Sequence, residues 1–190
     1  ADTFEVTVLD PCPASVQPGH VDVFPIEVGA RWSYDVEASE NPTGRPATRE
    51  LGTAALEVVS AGACDRGARA FAVRERVSLV AERYDAATDS WVVTGSPSVD
   101  RTVAWTVTDS LVTTDAPPFP GGRAGLRPLA PFGQEIPRFA EAGTISLFIT
   151  RDSFLGPSIV LEAGVGPVSY WTRTNFGTVG SGFVRWTQIE

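Results

Sequence analysis

The sequence predicts an all-β fold: a single antiparallel domain curved into a barrel or half-barrel, with a two-sheet β-sandwich as the alternative. Three observations carry that reading. Apolar and polar residues alternate over segment after segment, the periodicity of a half-buried strand, while helical periodicity is almost absent. Clusters of Gly, Pro, Asn and Asp punctuate those segments. The 190 residues are 43% hydrophobic, enough to bury a sizeable core in one domain. Residues 1–190 therefore read as one β-domain, with a Pro/Gly-rich insertion at 115–143.

The elements follow in order. Thr3 to Leu9 sets Phe4, Val6 and Val8 against Thr3, Glu5 and Thr7, a strand with one apolar face. A Pro-rich stretch from Pro11 to Pro25 contains the sole histidine, His20. Arg31 to Glu37 alternates without error, with Trp32, Tyr34 and Val36 on the inner face. Asn41 to Arg49 is a loop, and Leu51 to Ser60 and Ala70 to Tyr84 are long strands. The second presents Phe71, Val73, Val77 and Leu79 on one face; Glu75 interrupts it, and a twist or bulge that exposes Glu75 is expected.

Tyr84 to Trp91 is a hairpin signal in which Asp and Thr cap the turn and Tyr84 pairs with Trp91. The octet resembles a kelch turn but occurs once, whereas a propeller needs copies at a period of about 50 residues. Val92 to Gly95 and Arg101 to Thr114 continue the sheet. Arg138 to Ala142 suits a short helical turn inside the insertion. Thr144 to Thr150, Ile159 to Glu162, Val168 to Thr174 and Phe183 to Ile189 complete a set of roughly nine to eleven strands.

The chemical inventory is sparse: one His, two Cys, no Met and no Lys. Most acid–base, nucleophilic and metal mechanisms draw on those residues. His20 has Asp22 nearby, but no Gly-x-Ser-x-Gly elbow exists, so a solvated or capping histidine is the reading. Zinc lacks ligands. Calcium would have to use Asp85, Asp89, Asp100 or Asp152, which lack EF-hand spacing and read as turn or surface residues. With 23 acidic residues some carboxylate pair is always close, so a glycosidase pair carries no specificity. No catalytic residue, metal or cofactor is assigned. The net charge of −8 disfavours nucleic acid and anionic membranes, and no apolar run is long enough for a spanning helix.

Ala1 suits the residue left by a signal peptidase, so an exported protein, periplasmic or extracellular, is expected. Cys12 and Cys64 then read as a disulfide, which by chain-entropy reasoning adds about 4 kcal/mol; two free buried thiols are the alternative. Cys12 lies in Asp10-Pro11-Cys12-Pro13, which is not a lipid-attachment box, and Pro42 blocks Asn41 as a glycan acceptor.

Two segments carry a resemblance. Val23-Phe24-Pro25-Ile26 followed by Gly29 and Trp32-x-Tyr34, and Glu162-Ala163-Gly164-Val165-Gly166-Pro167-Val168-Ser169-Tyr170, cover about an eighth of the chain. They resemble the first and last strands of a family of exported bacterial β-rich proteins and lipoproteins of unassigned reaction. The resemblance implies location and a β fold but no catalytic residues. In physical terms, Pro25 and Gly29 turn the chain into a strand whose Trp32 and Tyr34 enter the core. Gly164 and Gly166 mark a kink or bulge.

What remains to carry function is shape and aromatic surface. Trp171 and Trp186, with Arg173 and Arg185, form a candidate aromatic–arginine patch, the composition enriched at protein interfaces; core packing is the competing reading. Phe119, Leu129 and Phe132 are candidate anchors in the Pro-rich insertion, which otherwise covers a sheet edge. The expectation is a non-catalytic exported binding protein, an accessory subunit with a protein partner in an envelope assembly. A carrier of a lipid or other apolar ligand and a carbohydrate-binding or carbohydrate-active protein are the alternatives.

Overall fold

A computed structural model describes residues 19–114, 136–141, 144–148, 158–175 and 180–189. The described chain is all strand, and its main sheet curls strongly into a half-barrel. The strands are β1 (Val21–Asp22), β2 (Arg31–Pro42), β3 (Thr48–Asp65), β4 (Ala68–Asp85), β5 (Ser90–Gly95), β6 (Ser98–Val107) and β7 (Leu111–Thr114). Then follow β8 (Ile136–Pro137), β9 (Phe139–Ala140), β10 (Thr144–Phe148), β11 (Ser158–Glu162), β12 (Gly166–Asn175) and β13 (Gly180–Ile189). Among the described residues the main sheet has 11 strands, in the order β10-β11-β12-β13-β2-β3-β4-β6-β7-β8, with β5 also paired to β4. Every pairing is antiparallel.

Alternation determines which side chains go in. On β2, Trp32, Tyr34, Val36 and Ala38 are buried while Arg31, Ser33 and Asp35 are exposed. On β4 the buried set is Phe71, Val73, Glu75, Val77, Leu79 and Ala81. These residues share one face with Leu56, Val58, Trp105, Tyr170, Val184 and Trp186, and that face is the core. At about 25 cal/mol per Å² of apolar area removed from water, this burial is the main force behind the curl.

β5 and β6 run as one strand interrupted at Ser96–Pro97. Ala81↔Gly95 and Ser78↔Ser98 keep the same register, and Pro97, which has no N–H, accepts from the Leu79 N–H at 3.0 Å. The stretch expected as one strand to Thr114 turns back at Thr108, whose Oγ1 accepts from the Leu111 N–H at 3.1 Å, and Leu111–Thr114 returns as β7.

A second, two-stranded sheet pairs β1 with β9. It ties the segment before β2 onto the half-barrel. Arg138 Nε and Nη2 donate to Asp22 Oδ2 at 3.1 and 3.0 Å, and Asp22 Oδ1 accepts from the Phe24 N–H at 3.0 Å. Val23, Phe24 and Ile26 thereby enter the core, with Phe24 5.9 Å from Trp32 and 5.6 Å from Trp105, ring centre to ring centre. Phe139–Ala140 is strand, so the expected helical turn over Arg138 to Ala142 is replaced by pairing with β1.

Glu75 corrects another expectation. It is fully buried, no register shift occurs at its position, and its Oε2 accepts from Arg101 Nε at 2.6 Å on the neighbouring strand. The cross-strand arginine lets the carboxylate stay inside, a long-range partner that local patterning does not reveal. The expected strand Thr3 to Leu9, Cys12 and residues 115–135 of the insertion lie outside the described residues.

Candidate binding surface

The two motif segments meet. Trp32 Nε1 donates to the Val165 carbonyl at 2.6 Å, and the Tyr34 hydroxyl donates to the Pro167 carbonyl at 2.7 Å. Gly166, at φ +102°, lies beneath the indole: a Cβ there would sit 2.7 Å from Trp32 Nε1. Burial also pushes the Tyr34 hydroxyl well above its ordinary pKa, so it stays a donor. This is a structural latch between the first long strand and the β11–β12 turn, holding the inner face shut.

The outer face is different. Register carries one row across five strands: Trp171 on β12 opposite Arg185 on β13, then Glu37 on β2, Leu51 on β3 and Val80 on β4. Trp171, Leu51 and Val80 are 38%, 37% and 41% exposed. Between them Arg185 Nη2 donates to Glu37 Oε2. The row thus alternates apolar platforms with a hydrogen-bonded ion pair. Next to it lies a shallow groove of about 580 Å³ lined by Asp35, Glu37, Leu51, Gly52, Arg185 and Thr187. Val93 on β5, opposite Glu82, extends the exposed apolar area beyond β4.

Further outer-face pairs flank this row. Arg49 donates to Glu82 and lies 4.3 Å from the centre of the Trp91 ring, which packs edge-on against Tyr84 at 5.5 Å. Arg74 binds Asp100 through two hydrogen bonds, at 2.8 and 2.6 Å, and holds that carboxyl below its ordinary range. Such exposed pairs organise a surface more than they stabilise the fold.

The residues proposed from sequence separate accordingly. Trp171 and Arg185 are neighbours on the outer face. Trp186 is fully buried, its ring centre 5.7 Å from that of Tyr34, and belongs to the core rather than to any patch. Arg173 is described in its backbone only, on β12 opposite Phe183. Phe119, Leu129 and Phe132 lie outside the described residues. Cys64 is exposed near the far end of β3, not packed in the core, and Cys12 lies outside the described residues. The Asp22 carboxylate is engaged by Arg138 and the Phe24 N–H rather than by His20.

Leu51, Val80 and Glu37 were missed by sequence reasoning. The signal was present in part: Val80 falls out of phase with Phe71, Val73, Val77 and Leu79, and so must point outward. No family model matches the chain, and searches of curated proteins and of solved structures find no similar protein.

Proposed function

We propose that this protein is a non-catalytic exported binding module, an accessory component that docks a protein partner of the cell envelope on the outer face of its half-barrel. The observation that carries the reading is the row Trp171–Arg185–Glu37–Leu51–Val80, an aromatic, an ion pair and two aliphatic groups aligned across one surface. Exposed aromatic and arginine side chains set among apolar neighbours are the composition of interface hot spots. The inner face offers less. Val23, Phe24 and Ile26 of the chain itself fill the described part of the concave side, which weighs against a carrier of an apolar ligand.

Site-specific cross-linking tests the docking face. A photoreactive phenylalanine analogue at position 51 is expected to trap a discrete partner from an envelope extract of the source organism, and the same group at Thr88 in the β4–β5 turn is not. Protein that stays uncross-linked from both positions would sink the proposal.

A structural disulfide between Cys12 and Cys64 goes with the export reading. Support comes from the exposure of Cys64, which argues against the alternative of two buried thiols. Alkylation of the denatured protein without reductant is expected to modify neither cysteine.

A second reading uses the same surface. The outer groove sets the carboxylates of Asp35 and Glu37, the Thr187 hydroxyl and Arg185 close to an exposed indole, the mixture of hydrogen-bonding groups and flat ring that a sugar requires. A glycan array separates the two: saturable glycan binding abolished by Trp171→Ala favours the sugar.

A further inference from the structure

Most described arginines of this protein are ion-paired, Arg31, Arg49, Arg74, Arg138 and Arg185 among them. Among the described residues, Arg45 and Arg83 have no ion pair or side-chain hydrogen bond. Both line one groove of about 650 Å³, between the β2–β3 turn and the β4–β5 turn, together with Asn41, Tyr84 and Asp85. Arg69, also outside an ion pair among the described side chains, stands at the opposite end of β4. Among the described residues the Asn41 side chain likewise makes no hydrogen bond. In a chain of net charge −8, two uncommitted guanidinium groups and an amide converging on one groove call for an anionic occupant.

The walls are braced before any ligand arrives. The Tyr84 N–H donates to the Ala47 carbonyl at 2.9 Å and so joins the two turns. Asp85 Oδ1 accepts from the Ala87 N–H at 2.9 Å, and Tyr84 packs on Trp91. A groove whose backbone is braced loses less entropy on binding than a mobile one. Asp85 adds selectivity. With Oδ1 held by the turn, its Oδ2 is left to accept a hydrogen bond from the ligand and to repel an anion that has no hydroxyl.

We infer that this groove is a binding site for a small oxyanion that also carries a hydroxyl, the chemistry shared by hydrogen phosphate and sugar acids, with Arg45, Arg83 and Asn41 holding the oxyanion and Asp85 accepting from the hydroxyl. The site lies on turns distinct from the outer-face row, so its fate is independent of the docking proposal.

The test is an NMR titration of the full chain at constant ionic strength, following the arginine Nε–Hε signals with inorganic phosphate, glucuronate and sulfate. Phosphate or glucuronate is expected to move Arg45, Arg83 and the backbone of 44–47 and 85–87 saturably, leaving Arg66 still; which of the two binds more tightly identifies the source of the oxyanion. Arg45→Ala and Arg83→Ala, both at exposed positions, are each expected to keep the melting temperature and to weaken binding by about tenfold or more. Asp85→Asn is expected to narrow the preference over sulfate. Linear shifts spread over all exposed arginines, or affinity unchanged in both arginine variants, would overturn the site. Sulfate binding as tightly as phosphate to the wild-type protein would overturn the role of Asp85.

Discussion

Trp32 does two jobs: its ring joins the aromatic cluster with Phe24 and Trp105, and its N–H satisfies a turn carbonyl 133 residues away. Trp32→Phe keeps most of the first and deletes the second, so a loss of about 1–2 kcal/mol is expected in urea unfolding. Glu75 supplies a pH signature. Burial raises its carboxyl above the ordinary value, and the hydrogen bond and charge of Arg101 only partly offset that. The folded protein therefore binds this proton more tightly than the unfolded chain. The associated stability is present on the acid side of the ordinary carboxyl value and is lost as pH rises through the folded value. Wild-type stability is expected to decline relative to Glu75→Gln between the ordinary carboxylate range and neutrality; a difference that stays flat across urea titrations in that interval would refute the assignment. Some of the site was legible at this scale. Tyr170 and Trp171 are adjacent on a strand, so one of the two rings had to face out. Trp186 was set in the candidate patch, yet it shares parity with Val184 and is buried with it. Which of those outward residues line up across strands was not legible, because register between β12, β13 and β2 is decided by long-range pairing.

Elements show the same division. β2 was legible over Arg31 to Glu37, where its alternation is perfect, but its last residues, Asn41 and Pro42, read as loop and are strand because they pair with β13. The end of β3 was not: Ala61-Gly62-Ala63 has no pattern, yet it is carried as strand by the hairpin with β4, through register shifts at Val58/Ser60 and Ala61/Cys64. The two-residue strands β8 and β9 exist only through their partners, β7 and β1, and have no signature of their own. Gly52 is the sharpest point of the β3–β4 ribbon. A Cβ there would lie 2.0 Å from the Ser78 carbonyl oxygen and 2.8 Å from the Leu79 Cα, contacts with backbone that cannot swing aside. Gly52→Ala is expected to cost roughly 3 kcal/mol or more by overpacking. Gly95 on β5 meets nothing within 4 Å, so Gly95→Ala is expected to be neutral or stabilising by up to about 1 kcal/mol. Calorimetric melting of the pair measures the contrast directly.

For the molecule as a whole, the half-barrel is held by what lies inside it as much as by its hydrogen bonds. Phe24 arrives from outside the main sheet and is 1% exposed between Trp32 and Trp105. Phe24→Ala is expected to cost about 3–5 kcal/mol in chemical denaturation, the range for a large aromatic lost from a close-packed site. That the fold is β and curved was legible from alternation; that a short segment from outside the sheet fills it was not, since Val23-Phe24-Pro25-Ile26 reads locally as an irregular Pro-rich stretch. The strand order has a consequence for assembly. β2 and β13 are neighbours in the middle of the sheet, though one begins at Arg31 and the other ends at Ile189. A chain emerging from the ribosome with β2 first can complete the β2–β8 side of the sheet as its strands appear, but the edge of β2 waits unpaired for a strand made much later. The seam at the centre of the finished molecule is therefore the last to be sewn, and until then β2 is the edge most in need of shielding from other chains.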